Sequence, residues 1–137
     1  MKFYAIRENH LYKKAYRGGS RKSTKTLSVY VLRDRAAGLL RKQNPTHQTI
    51  NRIGISASKK VGGAVQRNRA KRVIREAYRK IDKEFGVKKG YLIVLVPRPE
   101  CTVCKMQDVL RDLTYALGAI DMLSSNPDKT ECENEQN

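Results

Sequence analysis

The sequence predicts an α+β fold, a two-layer sandwich in the order helix, strands, helix, strand, helix. Three observations carry that prediction. Residues 26–33 and 49–58 are rich in β-branched side chains and alternate between two faces. Residues 91–96, YLIVLV, are apolar on both faces, as a central strand covered from two sides requires. Residues 64–85 and 106–123 instead repeat apolar positions every three or four residues, the period of an amphipathic helix. A length of 137 residues argues for one domain.

Each element can be justified in order. Residues 6–16 place Ile6, Tyr12, Ala15 and Tyr16 among charged neighbours, and Gly18 and Gly19 follow where a helix commonly stops. In the strand over 26–33, Leu27, Val29 and Val31 share one face and Ser28, Tyr30 and Leu32 the other. Residues 22–25 suit a short strand before it. Residues 36–48, interrupted by Gly38, Asn44 and Pro45, read as a long loop with a helical turn. The second strand, 49–58, sets Ile53, Ile55 and Ala57 opposite Gly54, Ser56 and Ser58. A long helix runs from Gly63 or Ala64 to Phe85 and ends at Gly86. After the apolar strand, Pro97 and Pro99 force a stop. The last helix carries one stripe from Met106 through Leu113 and Leu117 to Leu123.

Charge narrows the function. The chain has 29 Lys and Arg against 13 Asp and Glu, a formal net charge of +16. A chain this basic repels itself unless it meets a polyanion, which means nucleic acid or an anionic membrane surface. No apolar run approaches the ~18–20 residues that span a bilayer, and the N-terminus lacks the apolar stretch of a signal peptide, so a cytoplasmic location is expected. Residues 124–137 hold one basic and four acidic residues, net −3, leaving +19 on residues 1–123. The expected organisation is one RNA-binding domain over 1–123 and an acidic disordered tail over 124–137. Cys101 and Cys104 form a single C-x-x-C pair; with Cys132, His10 and His47 at no matching spacing, no metal site is expected.

Residues 52–80 concentrate ten Lys or Arg against Glu76 alone. On a helical wheel with Arg67 at 0°, Lys71, Arg75, Asn68, Arg79 and Arg72 fall at about 40° to 140°. Ala70, Val73, Ala77, Ile81 and Ile74 fall at about 240° to 340°. The cations form a ridge backed by a core-facing stripe. Arg67, Lys71, Arg75 and Arg79 stack like charge on like charge at i+4 spacing, which is unfavourable unless an anion binds. Gly62 and Gly63 precede the ridge; they fit a plain turn and equally a backbone that lets a phosphate approach the helix N-terminus.

The string from Ile55 to Glu76, ISASKKVGGAVQRNRAKRVIRE, closely resembles the signature of the protein subunit of bacterial ribonuclease P, with its Arg-Asn-Arg core at 67–69, then Lys71-Arg72 and Arg75, and the preceding Ser-Lys-Lys-x-Gly. Many fixed positions match over these 22 residues, and the likeness extends in element order over about 6–123. The resemblance implies an α+β, ribosomal-protein-like fold with a left-handed βαβ crossover. It implies a protein subunit that assists a catalytic RNA in endonucleolytic removal of the 5′ leader from precursor tRNA, one protein per RNA. Mg2+ would sit on the RNA, with no cofactor, metal or catalytic residue in this chain.

By the same resemblance, Lys59, Lys60, Arg67, Asn68, Arg69, Lys71, Arg72, Arg75 and Arg79 would dock on the RNA subunit. Tyr12, Lys13, Tyr16, Tyr30, Ser56 and Ser58 would line the cleft for the single-stranded leader. Stacking of unpaired bases on aromatic rings, with little sequence preference, suits many different leaders. Tyr12 and Tyr16, one helical turn apart, also fit an ordinary packing pair. The aromatic pair is usually Phe in this family, and the loop over 35–48 is about ten residues longer than usual. Two other readings compete. A non-enzymatic RNA-binding protein, such as a ribosomal protein, shares the composition. A helix-turn-helix DNA binder lacks the required preceding helix.

Overall fold

The computed structural model describes residues 4–6, 9–46 and 48–123. Ten elements follow one another: β1 (Tyr4–Ala5), α1 (Asn9–Gly18), β2 (Ser20–Ser23), β3 (Leu27–Arg33), α2 (Ala37–Gln43), β4 (Arg52–Ile55), α3 (Ala64–Glu84), β5 (Tyr91–Pro97), a 3-10 helix (Pro99–Thr102) and α4 (Met106–Ala119). The strands form one mixed sheet in the order β1-β4-β5-β3-β2. β5 lies at its centre, antiparallel to β3 from Leu27↔Pro97 to Arg33↔Tyr91 and parallel to β4 from Arg52↔Leu92 to Ile55↔Leu95. Its continuous apolar run is explained by that place, because both its faces are covered.

The two faces bury different clusters. Leu27, Val29, Val31, Ile53, Ile93 and Leu95 pack under α3 and α4, against Ile74, Ala77, Tyr78, Ile81, Val109, Leu113 and Leu117. Each such fully buried aliphatic side chain contributes ~1.5–3 kcal/mol. On the other face, Leu92 and Val94 pack with Ile6 and Ala15 under α1, and Tyr12, Tyr30, Leu32 and Val96 close over them. Polar clamps fix the layers. The Thr26 hydroxyl donates to Asp112 Oδ2 at 2.7 Å, tying β3 to α4. Buried Asn51 accepts the Tyr91 N–H at 3.0 Å and donates to the Lys88 carbonyl at 2.7 Å, fixing the start of β5 beside β4.

β4 and β5 are parallel neighbours joined through α3, and chirality gives the hand of that crossover. Leu95 turns its carbonyl toward β4, accepting the Ser56 N–H at 3.0 Å, and its side chain into the core beneath α3. In an extended strand of L-residues, that combination places β5 to the left of β4 when α3 is in front and both strands run upward. The crossover is left-handed, against the usual right-handed rule.

The elements differ from the sequence reading at several ends. The first helix begins at Asn9 rather than Ile6, because Tyr4 and Ala5 pair in parallel with Arg52 and Ile53 and the Ile6 N–H donates to the Ile53 carbonyl at 3.1 Å. The helical turn expected within 36–48 is a seven-residue helix, Ala37–Gln43, and it stops at Asn44, whose ψ of 128° suits a residue before proline. The second strand shrinks to Arg52–Ile55, since its partner ladder runs only from Leu92 to Leu95. The final helix ends at Ala119; Asp121 takes φ 63°, and Leu123 turns back to bridge Val87. The acidic segment 124–137 lies outside the described residues.

Candidate nucleic-acid interface

The ridge on α3 is graded by its distance from the core. Arg67 and Lys71, at the edge of the wheel's polar arc, are half-buried, whereas Asn68, Arg72, Arg75 and Arg79 are exposed. Tyr78, at about 20° on the same wheel, is fully buried with its hydroxyl 3.4 Å from Asn51 Nδ2, so the core stripe extends to the ridge's edge. Burial pushes its phenol well above the ordinary value of 10.0. Arg67 Nε is buried without a hydrogen-bond partner among the described residues, so this guanidinium sits at the ridge with an unmet donor.

Arg69, expected on the RNA-docking surface, and Arg52, at the start of the basic segment, both stand apart from the ridge. Arg69, at about 200°, reaches across to the 3-10 helix and donates to the Thr102 carbonyl. Arg52, counted within the basic segment, instead donates through Nε and Nη2 to the Asp34 carboxylate at 2.8 and 2.9 Å, with Asp34 1% exposed. It is a structural ion pair beside the sheet, not part of the ridge. Lys59 and Lys60 lie exposed in the turn that leads from β4 into α3. Gly62 in that turn has φ 149°, and a Cβ there would press on Gln66, so the turn needs glycine. Gly63 caps α3 with no side-chain hydrogen bond to its first turn.

The aromatic face is built on the other side of the sheet. Tyr12 and Tyr16 share one side of α1, and Tyr30 projects from β3 toward them. The Tyr16 and Tyr30 rings meet edge to face, centroids 4.8 Å apart and planes at 81°. Tyr16 remains 41% exposed. Tyr12 is half-buried over Gly54 of β4, where an added Cβ would overlap its ring. Burial, and then the neighbouring Tyr16, raise the Tyr12 phenol, which keeps it a neutral hydrogen-bonding group. Ser56, half-buried, follows Gly54 on the same face; Lys13 and Ser58 are exposed at the margin.

Tyr12 packs against the sheet, whereas Tyr16 meets Tyr30 edge to face and leaves part of its ring open to solvent. Arg21 went unnoticed in the sequence. It pairs across β2 and β3 with Tyr30, and its guanidinium lies 5.5 Å from the Tyr30 ring centroid. A cation directly cross-strand from an aromatic is a pattern that could have revealed it.

A cationic helix ridge and an aromatic sheet face are joined by the turn at 56–63. The family model described as Ribonuclease P matches residues 1–121. The chain belongs to the ribonuclease P protein family. A protein named ribonuclease P protein component from Dehalococcoides mccartyi is 40% identical over 86 residues, 63% of this chain and 68% of that protein. One of the same name from Clostridioides difficile is 33% identical over 117 residues, 85% of this chain and 91% of the relative. The solved structure of the Staphylococcus aureus RNase P protein superposes with a TM-score of 0.67 at 26% identity, covering 88% of this chain and 98% of that one.

Cys101 is buried in the core of this ribonuclease P family member, and burial, then Cys104, raise its thiol to about 11. That thiol is inert packing material. Among the described residues no three His, Cys, Asp or Glu are grouped as metal ligands, and no helix is long and apolar enough to cross a membrane.

Proposed function

We infer that the chain is the protein subunit of a cytoplasmic ribonuclease P, assisting a catalytic RNA in removing the 5′ leader from precursor tRNA. The observation that carries the reading is the ridge of Arg72, Arg75, Arg79 and Asn68, exposed together on a helix of this family's signature. Arg forks suit phosphate oxygens in pairs, so a structured RNA is their natural partner. Lys59, Lys60, Arg67 and Lys71 extend that surface, and Arg69 borders it. Tyr16, flanked by Tyr12, Tyr30, Lys13, Ser56 and Ser58, would take the unpaired leader by stacking.

The chemistry belongs to the RNA in this reading, with Mg2+ on the RNA and one protein per RNA. The protein's part is to add phosphate contacts that bare RNA must otherwise obtain from metal ions. At low Mg2+, the purified chain added to a bacterial ribonuclease P RNA is expected to restore cleavage of precursor tRNA at the mature 5′ end. Cleavage no faster than with RNA alone would refute the assignment.

A further inference from the structure

α1 has a second polar side that the ridge and the aromatic face do not use. His10, Lys14 and Arg17 lie at about 0°, 40° and 340° on its wheel, whereas Tyr12 and Tyr16 lie at about 200° and 240°. The first set faces a groove of about 980 Å³ between α1 and the segment leading into α2. Leu11, Leu32 and Leu92 contribute its apolar lining. Arg33 and Arg35 stand at it from the chain leaving β3, and the far wall is Ala36, Ala37 and Gly38, too small to fill it.

Its electrostatics are one-sided. Asp34 is the one acidic residue in the lining, and its carboxylate is already engaged by Arg52 and by the Ala36 N–H at 3.0 Å. With Lys14, Arg17, Arg33, Arg35 and Arg52 against Asp34, the lining carries net +4. Lys14, Arg17, Arg33 and Arg35 are all exposed and have no acidic partner among the described residues. Lys14, Arg17 and Arg35 bring three like charges to one concavity, with Arg33 at its border, and such a set is mutually unfavourable until an anion enters.

We propose that the α1–α2 groove is a second RNA site, which holds a single-stranded segment with its phosphates along Lys14, Arg17 and Arg35 and an unpaired base over the leucines. A duplex would offer the phosphates but no free base face for the apolar lining. The site is distinct from the leader surface, being on the opposite side of α1. It also gives the unusually long segment between β3 and β4 a task, since α2 supplies one wall.

The test uses the full chain and a fluorescein-labelled unstructured RNA decamer, with affinity followed by anisotropy across a salt series. Each lost phosphate contact flattens the log–log salt slope by about 0.7 on a single strand, so Arg17→Gln/Arg35→Gln is expected to flatten it by about 1.4 and weaken binding about tenfold at low salt. Both residues are exposed, and an unchanged unfolding transition verifies the fold. Loss in this double variant with Tyr16→Ala unaffected leaves the groove standing and removes the leader surface. Loss in Tyr16→Ala alone, with wild-type slope in the double variant, overturns the groove. Neutralising Asp128, Glu131, Glu133 and Glu135 to their amides provides a further arm. Tighter RNA binding that vanishes in Arg17→Gln/Arg35→Gln would support RNA in the groove; tightening undiminished by that double change would place the RNA elsewhere and overturn the proposal.

Discussion

The ridge on α3 and the aromatic face under α1 lie on opposite sides of one sheet and differ in kind, the one cationic and the other aromatic. The ridge presents Arg72, Arg75 and Arg79 on a helix whose other side is locked into the core by Ile74, Ala77 and Ile81. Its pull is coulombic, long in range and weakened by salt. The aromatic face presents Tyr16 above Tyr30, with Arg21 as the cation seen against the rings. Its pull is short in range, depends on an unpaired base and is little affected by salt. In the proposed reading the ridge would hold the RNA subunit and the aromatic face the leader, on surfaces far enough apart that neither compromises the other.

The comparison can be broken most severely at the shared scaffold. Arg52→Ala strands the buried Asp34 carboxylate and is expected to lower stability by about 3–5 kcal/mol, weakening both surfaces together. Urea unfolding measures this, and a loss below about 1 kcal/mol would contradict the ion pair's structural role. Next, Tyr16→Ala should weaken binding of leader-bearing precursor by about 1–3 kcal/mol while leaving mature tRNA unchanged. Equal losses on both substrates would instead mean that Tyr16 is chiefly a packing residue.

A gentler change sharpens the contrast on the other side. Arg72→Ala/Arg75→Ala is expected to flatten the salt slope of RNA-subunit binding by up to about 1.8, at roughly 0.9 per phosphate contact on a duplex region. The smallest effect concerns Tyr78, which anchors the ridge from beneath. Its phenol is neutral and raised in the folded chain, so its contribution is complete below pH 10.0 and lost as pH rises from there toward the folded value. Wild type should therefore lose about 1.4 kcal/mol more per pH unit above 10 than Tyr78→Phe. Parallel stability curves for the two proteins would show the hydroxyl is solvated.

Much of this was legible in the sequence because period and composition agree. The wheel that placed Ile74 and Ile81 inward and Arg72 and Arg75 outward is the one the fold adopts, since an amphipathic helix on a sheet has one way to sit. Tyr78 escaped because an amphipathic side chain at the edge of a stripe is decided by its tertiary partner, here Asn51. Arg52 falls in the basic segment by composition, and its pairing with Asp34 was not legible because an ion pair 18 residues apart in sequence leaves no local pattern. β1 is two residues long and owes its existence to β4 alone, so no periodicity could announce it. α2 was legible only as a helical turn, because Gly38 has low helix propensity. On the aromatic face, Tyr12, Tyr16 and Tyr30 came from the resemblance, while Arg21 required the register of β2 on β3.

The proposed function assigns charge to one surface and stacking to the other. It is tested most directly by titrating precursor tRNA into the holoenzyme across a salt series for wild type, Tyr16→Ala and Arg75→Ala, with RNA-subunit affinity measured in parallel. The account predicts that Tyr16→Ala lowers precursor affinity equally at every salt concentration and leaves RNA-subunit affinity intact. Arg75→Ala should flatten the RNA-subunit slope and leave the leader's contribution unchanged. If Tyr16→Ala changed the salt slope, or if Arg75→Ala weakened leader-bearing and mature tRNA differently, the separation of the two surfaces would be wrong.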